Sequence, residues 1–215
     1  SIHDMDGEVI GEVRGYRSQL VSSGRREEKK RFNQLLYALH WTPQPRPARL
    51  TPLDPHRYWI VFPDQKGVCS HIGPDESRIE ISDDFKKEDS GLAGKLTSLF
   101  DEVPVAGIIY GWSLDRPDDV VGWTGQSAAT HLLAIAQTVL RAKNDTYQKT
   151  VILTQRAQAV GKTEVSFPGG GAVVGLCRTI NLEHSDLHFT SIHIENPDHF
   201  TDFADYILSK AFNLE

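Results

Sequence analysis

Residues 150–196 carry the pattern that most constrains the fold of this chain. An apolar strand is predicted at residues 150–154, a helix at 169–182 and a second apolar strand at 189–194. A strand–helix–strand unit of this kind joins parallel neighbours in one sheet. The run Gly169-Gly170-Gly171 stands at the predicted start of the helix, and Gly-rich turns in parallel sheets often hold nucleotide phosphates. The unit predicts a parallel sheet and raises the question of a nucleotide site.

The same alternation extends over most of the chain. Further strands are predicted at residues 58–62, 79–82 and 105–112, and further helices at 91–100, 127–142 and 200–212. The second of these helices places five apolar residues on one face: Ala128, Leu132, Ile135, Ala136 and Val139. The economical arrangement of these elements is an α/β fold, a doubly wound parallel sheet with helices on both faces.

The first 56 residues follow another pattern. Residues 5–21 alternate apolar and polar after an Asp6-Gly7 turn, which predicts a hairpin strand whose partner lies outside this chain. Residues 22–34 are charged and read as a solvated linker. Residues 35–41 predict a short amphipathic strand, and a proline-rich extended connector follows, with Pro43, Pro45, Pro47 and Pro52.

Composition excludes several classes of function. The net charge is −6 and no basic stripe is present, so nucleic acid is not an expected partner. No apolar run reaches 18 residues and no signal-peptide pattern opens the chain, so we expect no membrane partner and a cytoplasmic location. Two cysteines, Cys69 and Cys177, are too few for a disulfide framework, and Cys177 is expected to be a buried thiol.

A dinucleotide site needs a Gly-rich turn directly after the first strand of the sheet. The segment after residues 58–62 contains Gly67 and Gly73 but no GxGxxG pattern, and it is too short for a loop and a full helix. We therefore expect no phosphate-binding element there. Gly169, Gly170 and Gly171 remain a weak candidate for cofactor binding. The favoured interpretation is that small residues in this helix, Gly171, Ala172 and Gly175, pack closely on the sheet.

Three other patterns carry little chemistry. Tyr206 and Lys210 have the spacing of a Tyr/Lys proton-transfer pair, but they are i and i+4 on a predicted terminal helix and read as an exposed pair. Four histidines lack metal-ligand spacing, so no metal site is predicted. His193 is expected on a strand. The other three are expected at the surface: His184, His188 and His199. His131 reads as a boundary residue of its helix.

Several segments together resemble the structural subdomain of a ketoreductase from a modular polyketide synthase. They are residues 36–43, the exit Gly111-Trp112-Ser113-Leu114-Asp115, residues 130–137 and the helix from Pro168 to His184. One departure is Ser185, which stands where the family has proline. The resemblance covers residues 35–212, and residues 1–21 resemble the last strand of a polyketide dehydratase domain.

The resemblance implies a truncated Rossmann-like half that binds no cofactor and braces a catalytic half. NADPH and the catalytic residues belong to that other half, so no catalytic residue is assigned in this chain. The short segment at residues 63–78 resembles a truncated pseudo-ketoreductase. The implied partners are catalytic ketoreductase, methyltransferase, enoylreductase and dehydratase domains of the same megasynthase, and an acyl carrier protein.

These observations divide the chain into three parts. Residues 1–24 are predicted to be the trailing strand of a preceding, dehydratase-like domain, and residues 25–56 a linker with an entry strand. Residues 57–215 are predicted to form the subdomain. The leading hypothesis is a non-catalytic scaffold cut from a larger enzyme. The alternative is a self-contained α/β enzyme that binds a nucleotide or small molecule at Gly169–Gly171. A third hypothesis is a protein–protein adaptor with an exposed apolar patch.

Overall fold

The structure is a computed structural model, and it describes residues 2–3, 9–11, 54–72, 75–86, 91–115, 126–142, 147, 149–160 and 168–194. The chain divides into two compact units, Ser1–Thr42 and Pro43–Glu215. The predicted strand at 35–41, the proline connector and the predicted helix at 200–212 lie outside the described residues.

The first unit contains an antiparallel strand pair. Strand β1 (Ile2–His3) pairs with β2 (Val9–Gly11). The prediction that the N-terminal strand has its partner outside this chain is therefore wrong for its described part. The two strands flank Asp6-Gly7 in sequence, a pair that favours chain reversal and allows a local partner.

The second unit contains a five-stranded sheet in which every neighbouring pair is parallel. Its strands are β3 (Tyr58–Phe62), β4 (Arg78–Glu80), β5 (Val105–Tyr110), β6 (Lys149–Thr154) and β7 (Phe189–His193). Their order across the sheet is β4-β3-β5-β6-β7. The predicted parallel Rossmann-like α/β sheet is confirmed, and β5 ends two residues before its predicted end because a 3-10 helix begins at Trp112.

Three α-helices connect these strands: α1 (Leu92–Glu102), α2 (Gln126–Ala142) and α3 (Pro168–Glu183). Each lies within two residues of its predicted bounds. The predicted apolar face of α2 is confirmed, because all five of its residues are buried. The helix α1 follows Gly91, whose φ of 77° is readily adopted only by glycine.

The core has two parts, one on each face of the sheet. The larger part joins alternate strand residues such as Ile60, Ile108 and Ile152 with apolar residues of all three α-helices. The smaller part joins Trp59 and Val61 of β3 with residues that include Cys69, which begins the 3-10 helix Cys69–His71. The smaller part contains no residue of the three α-helices, and among the described helices only 3-10 helices contribute to it.

The connection between β3 and β4 differs from the other crossovers because its described residues contain no α-helix. Between β3 and β4 the described residues form only two 3-10 helices, Cys69–His71 and Asp75–Ser77. This confirms that the segment at 63–78 lacks a full helix. Separately, no helix in the described ranges is long and apolar enough to cross a membrane.

Candidate functional site

The candidate site is a crevice at the carboxyl ends of β3 and β5. Along the chain, β4 is added on one side of β3 and β5 on the other, so the strand order reverses between β3 and β5. Ligands of open α/β sheets bind at such a point. A cavity of about 180 Å³ lies there, lined by Gln65, Lys86, Tyr110, Trp112, Asp115, Ser127, Ala128 and His131.

The loop after β3 directs its backbone N–H groups at two of the chain's own carboxylates. Asp64, which is 6% exposed, accepts hydrogen bonds from the N–H groups of Lys66 at 3.1 Å, Val68 at 3.0 Å and Cys69 at 2.7 Å. Asp115 accepts one from the N–H of Gln65 at 2.7 Å. In a nucleotide-binding sheet, N–H groups at this position are directed at a phosphate. Here carboxylates hold them.

Lys86 lines the crevice and forms two ion pairs. The Lys86 ammonium lies 2.8 Å from a carboxylate oxygen of Asp115 and 2.8 Å from one of Asp83. It also lies 5.3 Å from the ring centre of Trp112. Burial alone would lower the pKa of Lys86, but its hydrogen bonds to the two carboxylates outweigh that effect and raise it. Burial raises the pKa of Asp115 despite the opposing hydrogen bond from Lys86.

The back wall of the crevice is aromatic. The hydroxyl of Tyr110 lies 3.0 Å from Nδ1 of His131. Trp112 meets the ring of Phe62 edge-on at 4.8 Å and that of His131 at 5.2 Å. Burial lowers the pKa of His131. A hydrogen bond with the backbone of Lys86 raises this pKa, but it offsets the effect of burial only in part. The imidazole is therefore neutral at pH 7, and its Nδ1 can accept a hydrogen bond from the Tyr110 hydroxyl.

The groups near the crevice are poorly suited to acid–base or nucleophilic chemistry. Burial raises the pKa of the Cys69 thiol well above its usual value, and it also raises that of the Tyr110 hydroxyl. A thiol or phenol that stays protonated is a weak nucleophile or base at neutral pH. A neighbouring cavity of about 280 Å³ carries the carboxylates of Asp64, Glu80 and Asp83, an environment that disfavours anions.

The glycine run that the sequence offered as a weak cofactor-binding candidate does not line this crevice. Gly169, Gly170 and Gly171 occupy the first turn of α3, after β6 in the chain. The favoured interpretation of close packing on the sheet is wrong for Gly171 and Gly175, which are exposed with open space where a Cβ would stand. Ala172 is exposed as well. The packing side of α3 carries larger residues at helical spacing: Val173, Cys177 and Ile180.

The histidine and cysteine predictions have clear outcomes. His193 ends β7 as expected, and His188 is exposed. Within the described ranges no group of His, Cys, Asp and Glu residues is arranged to hold a metal ion. Cys69 and Cys177 are free and buried, which confirms the prediction for Cys177. His199, Tyr206 and Lys210 lie outside the described residues.

Sequence reasoning missed most of the crevice. His131 was predicted as a boundary residue, and this is wrong: it is 7% exposed and bonded to Tyr110, because the helical face it shares with Ala128 and Ile135 is turned to the sheet. Asp64 directly follows Pro63 at the end of a buried strand, and that position in an α/β chain is the one signal that could have identified it.

Two comparisons place this fold among known proteins. Residues 39–203 match the family described as polyketide synthase extender module SpnB, Rossmann fold domain. A mycocerosic acid synthase-like polyketide synthase of Mycolicibacterium smegmatis is 26% identical over 209 residues, which cover 90% of this chain and 10% of the relative. The chain thus spans about a tenth of the length of that curated relative.

Proposed function

The chain belongs to the Rossmann fold domains of polyketide synthase extender modules, and on that basis we propose that it is a non-catalytic structural subdomain of a ketoreductase region. In this role it supports neighbouring domains and binds no cofactor itself. The parent enzyme extends and reduces acyl chains that are carried on an acyl carrier protein. Another subdomain supplies the NADPH-dependent reduction of the β-ketoacyl thioester.

One observation carries the proposal: the N–H groups that follow β3 are already held by Asp64 and Asp115. A phosphate at this position would have to displace a carboxylate that is 6% exposed and accepts three hydrogen bonds. Displacing it would leave a buried charge without its donors, which costs several kcal/mol on the order-of-magnitude scale for such groups. The loop is therefore stable without a nucleotide.

The remaining geometry supports the same role. The 3-10 helix Cys69–His71 has three residues, and it replaces the long helix whose N-terminus would hold a pyrophosphate. The raised pKa values of Cys69 and Tyr110 keep this thiol and this phenol protonated at neutral pH, so neither is an activated nucleophile or base. The sheet is buried on both faces, and Asp115 cross-links its carboxyl edge to Gln65 and Lys86, which suits a bracing function.

The direct test is a titration of the chain with NADPH, followed by nicotinamide fluorescence, with an intact ketoreductase as the positive control. We expect no saturable signal from a sample that unfolds cooperatively on heating. Saturable micromolar binding together with reduction of a β-keto thioester would overturn the scaffold proposal.

The alternative function, nucleotide binding at Gly169–Gly171, has its own arm in that experiment. The variant Gly171→Asp places a negative charge in the first turn of α3, at an exposed position with open space for the side chain. If the wild-type chain binds NADPH and this variant does not, the glycine turn is the site. If both bind equally, the nucleotide lies elsewhere.

A further inference from the structure

The outer edge of β7 is covered by a side chain of α3. β7 pairs with β6 on one side, and it is the last strand in the order of the described sheet. A strand in that position presents a row of main-chain N–H and C=O groups on its other side, and such a row readily pairs with a strand of another chain. The way in which this edge is covered therefore decides whether it can bind another strand.

The main-chain groups of Phe189 lie on that outer side. Just after the end of β7, the N–H of Ile194 donates to the carbonyl oxygen of Thr154, so the main-chain groups of Ile194 face β6. Successive residues of a strand in a parallel pair direct these groups to opposite sides. Phe189 and Ser191, which lie an odd number of positions before Ile194, therefore direct theirs outward.

Asn181 holds both of the outward groups of Phe189. Its side-chain Nδ2 donates to the carbonyl oxygen of Phe189 at 2.5 Å, and its Oδ1 accepts from the N–H of Phe189 at 2.8 Å. A carboxamide offers a donor and an acceptor as a peptide unit does, and two residues in a hydrogen-bonded antiparallel pair exchange the same two bonds. Asn181 thus takes the place that a residue of a sixth strand would occupy.

The position of Asn181 in the chain suits this role. It lies in the last turn of α3, eight residues before Phe189, and its side chain is half-buried. Asparagine is a weaker helix former than alanine or leucine, because its amide competes for main-chain hydrogen bonds. Here the amide makes those bonds to the strand that follows the helix.

The opposite edge of the sheet is protected in a different way. β4 has only three residues, and two of them, Arg78 and Glu80, form a salt bridge at 3.1 Å. The N–H of Ile81 donates to the carbonyl oxygen of Val61 in β3, so the main-chain groups of Arg78 and Glu80 face outward. Short and charged strands commonly protect sheet edges. Both edges of the described sheet thus carry features that oppose pairing with a further strand.

We propose that Asn181 is an edge cap that prevents β7 from pairing with a strand of a second copy of this chain. Without the cap, the N–H and C=O of Phe189 face outward beside those of Ser191, and this is the row that a partner strand needs. The inference goes beyond the scaffold role and does not depend on it. It implies that the domain contacts its neighbours through surfaces other than the start of this edge.

The test compares the self-association of the wild-type chain and its variants by analytical ultracentrifugation over a range of concentrations. Asn181→Ala removes both bonds to Phe189. The double variant Asn181→Ala/Ser191→Pro also removes the outward N–H of Ser191, and proline is tolerated at edge positions whose N–H faces away from the sheet. Thr179→Ala, an exposed change on the same helix, is the control.

We expect Asn181→Ala to dimerise at least about tenfold more tightly than the wild-type chain, which is the change that two hydrogen bonds of ordinary strength produce. The double variant and Thr179→Ala should behave like the wild-type chain. A folded Asn181→Ala variant that dimerises no more tightly than the wild-type chain would contradict the proposal. Equal self-association of the double variant would also contradict it, because the contact would then lie elsewhere.

Hydrogen exchange of the wild-type chain covers the case in which Asn181→Ala does not fold. The cap should make the N–H of Phe189 exchange as slowly as that of Ile194, which bonds to β6. Exchange of the Phe189 N–H at the rate of an unstructured peptide would show that Asn181 does not close the edge.

Discussion

The carboxylate of Asp115 accepts a 2.7 Å hydrogen bond from the backbone N–H of Gln65, which lies 50 residues earlier in the chain. The same carboxylate holds the Lys86 ammonium at 2.8 Å. One side chain therefore joins the exits of β5 and β3 to the segment that follows β4. This bridge ties together the carboxyl edge of three adjacent strands.

Asp115→Ala should remove that bridge. The Gln65 N–H loses its acceptor and Lys86 keeps only its exposed partner Asp83, so we expect a loss of about 2–3 kcal/mol in the free energy of unfolding. Urea denaturation measures this loss. The control Asp83→Ala removes the partner that is 58% exposed, and it should cost less than about 1 kcal/mol. Equal losses in the two variants would show that the bridge adds nothing.

Gly111→Ala should be strongly destabilising. A Cβ at this position would overlap Sγ of Cys69 and lie 2.8 Å from the carbonyl oxygen of Phe62, so the loop after β3 would have to move. We expect a loss of about 3 kcal/mol, measured as a lowered denaturation midpoint.

Gly171→Ala is the matched control for that substitution. Its Cβ would stand in open space on the exposed side of α3, and replacing glycine within a helix should stabilise the chain by about 0.5–1 kcal/mol. A destabilised Gly171→Ala variant would show that the glycine turn has a role which the packing does not explain.

The stability of the chain should fall with acid because of His131. Its pKa lies below the ordinary value of 6.5 in the folded chain, so the unfolded chain takes up a proton first as the pH falls. The contribution of His131 to the free energy of unfolding is fully present above about pH 6.5. It declines as the pH falls toward the folded-state pKa, with a slope of at most about 1.4 kcal/mol per pH unit. Denaturation midpoints at about pH 7, 6 and 5 measure this dependence of stability on pH.

The variant His131→Asn separates this effect from the other histidines. Asparagine keeps an acceptor near the Tyr110 hydroxyl and does not titrate. We expect a shallower dependence on pH between about 7 and 5 in the variant. The same slope in both proteins would mean that another group is responsible.

Asn181→Asp should loosen the start of β7. The Asn181 amide donates to the carbonyl oxygen of Phe189 at 2.5 Å and accepts from the N–H of Phe189 at 2.8 Å. Aspartate keeps the acceptor but directs a negative oxygen at the carbonyl, so we expect a loss of about 2 kcal/mol and faster hydrogen exchange in β7. Thr179→Ala, an exposed change on the same helix, should alter the stability by less than about 0.5 kcal/mol.

Much of the fold could be predicted from local patterns. The run Tyr58–Phe62 and the periodic face of α2 were each identified from a few consecutive residues, and each forms as expected. The missing first helix was also predicted, because the length and composition of residues 63–78 exclude it. These predictions succeed for one reason: the spacing of neighbouring apolar residues indicates which strand or helical face is buried.

The crevice could not be predicted in the same way. Trp112, Asp115 and His131 were noted only as fragments of a resemblance or as a boundary residue, since nothing in their own neighbourhoods connects them. Gly171 and Gly175 were assigned to the wrong side of α3, because small residues fit both a tight contact and an open surface. Only the neighbours across space distinguish these cases.

By itself, then, the sequence determined a parallel α/β sheet, its helical faces and the lack of a Gly-rich phosphate loop, because these follow from periodicity and local geometry. The tertiary structure alone decided that Asp64 and Asp115 hold the loop after β3 and that Trp112 and His131 line one small cavity. Those contacts depend on strand order, which brings residues 50 positions apart to one edge of the sheet. Strand order results from the packing of the whole sheet, which no local pattern encodes.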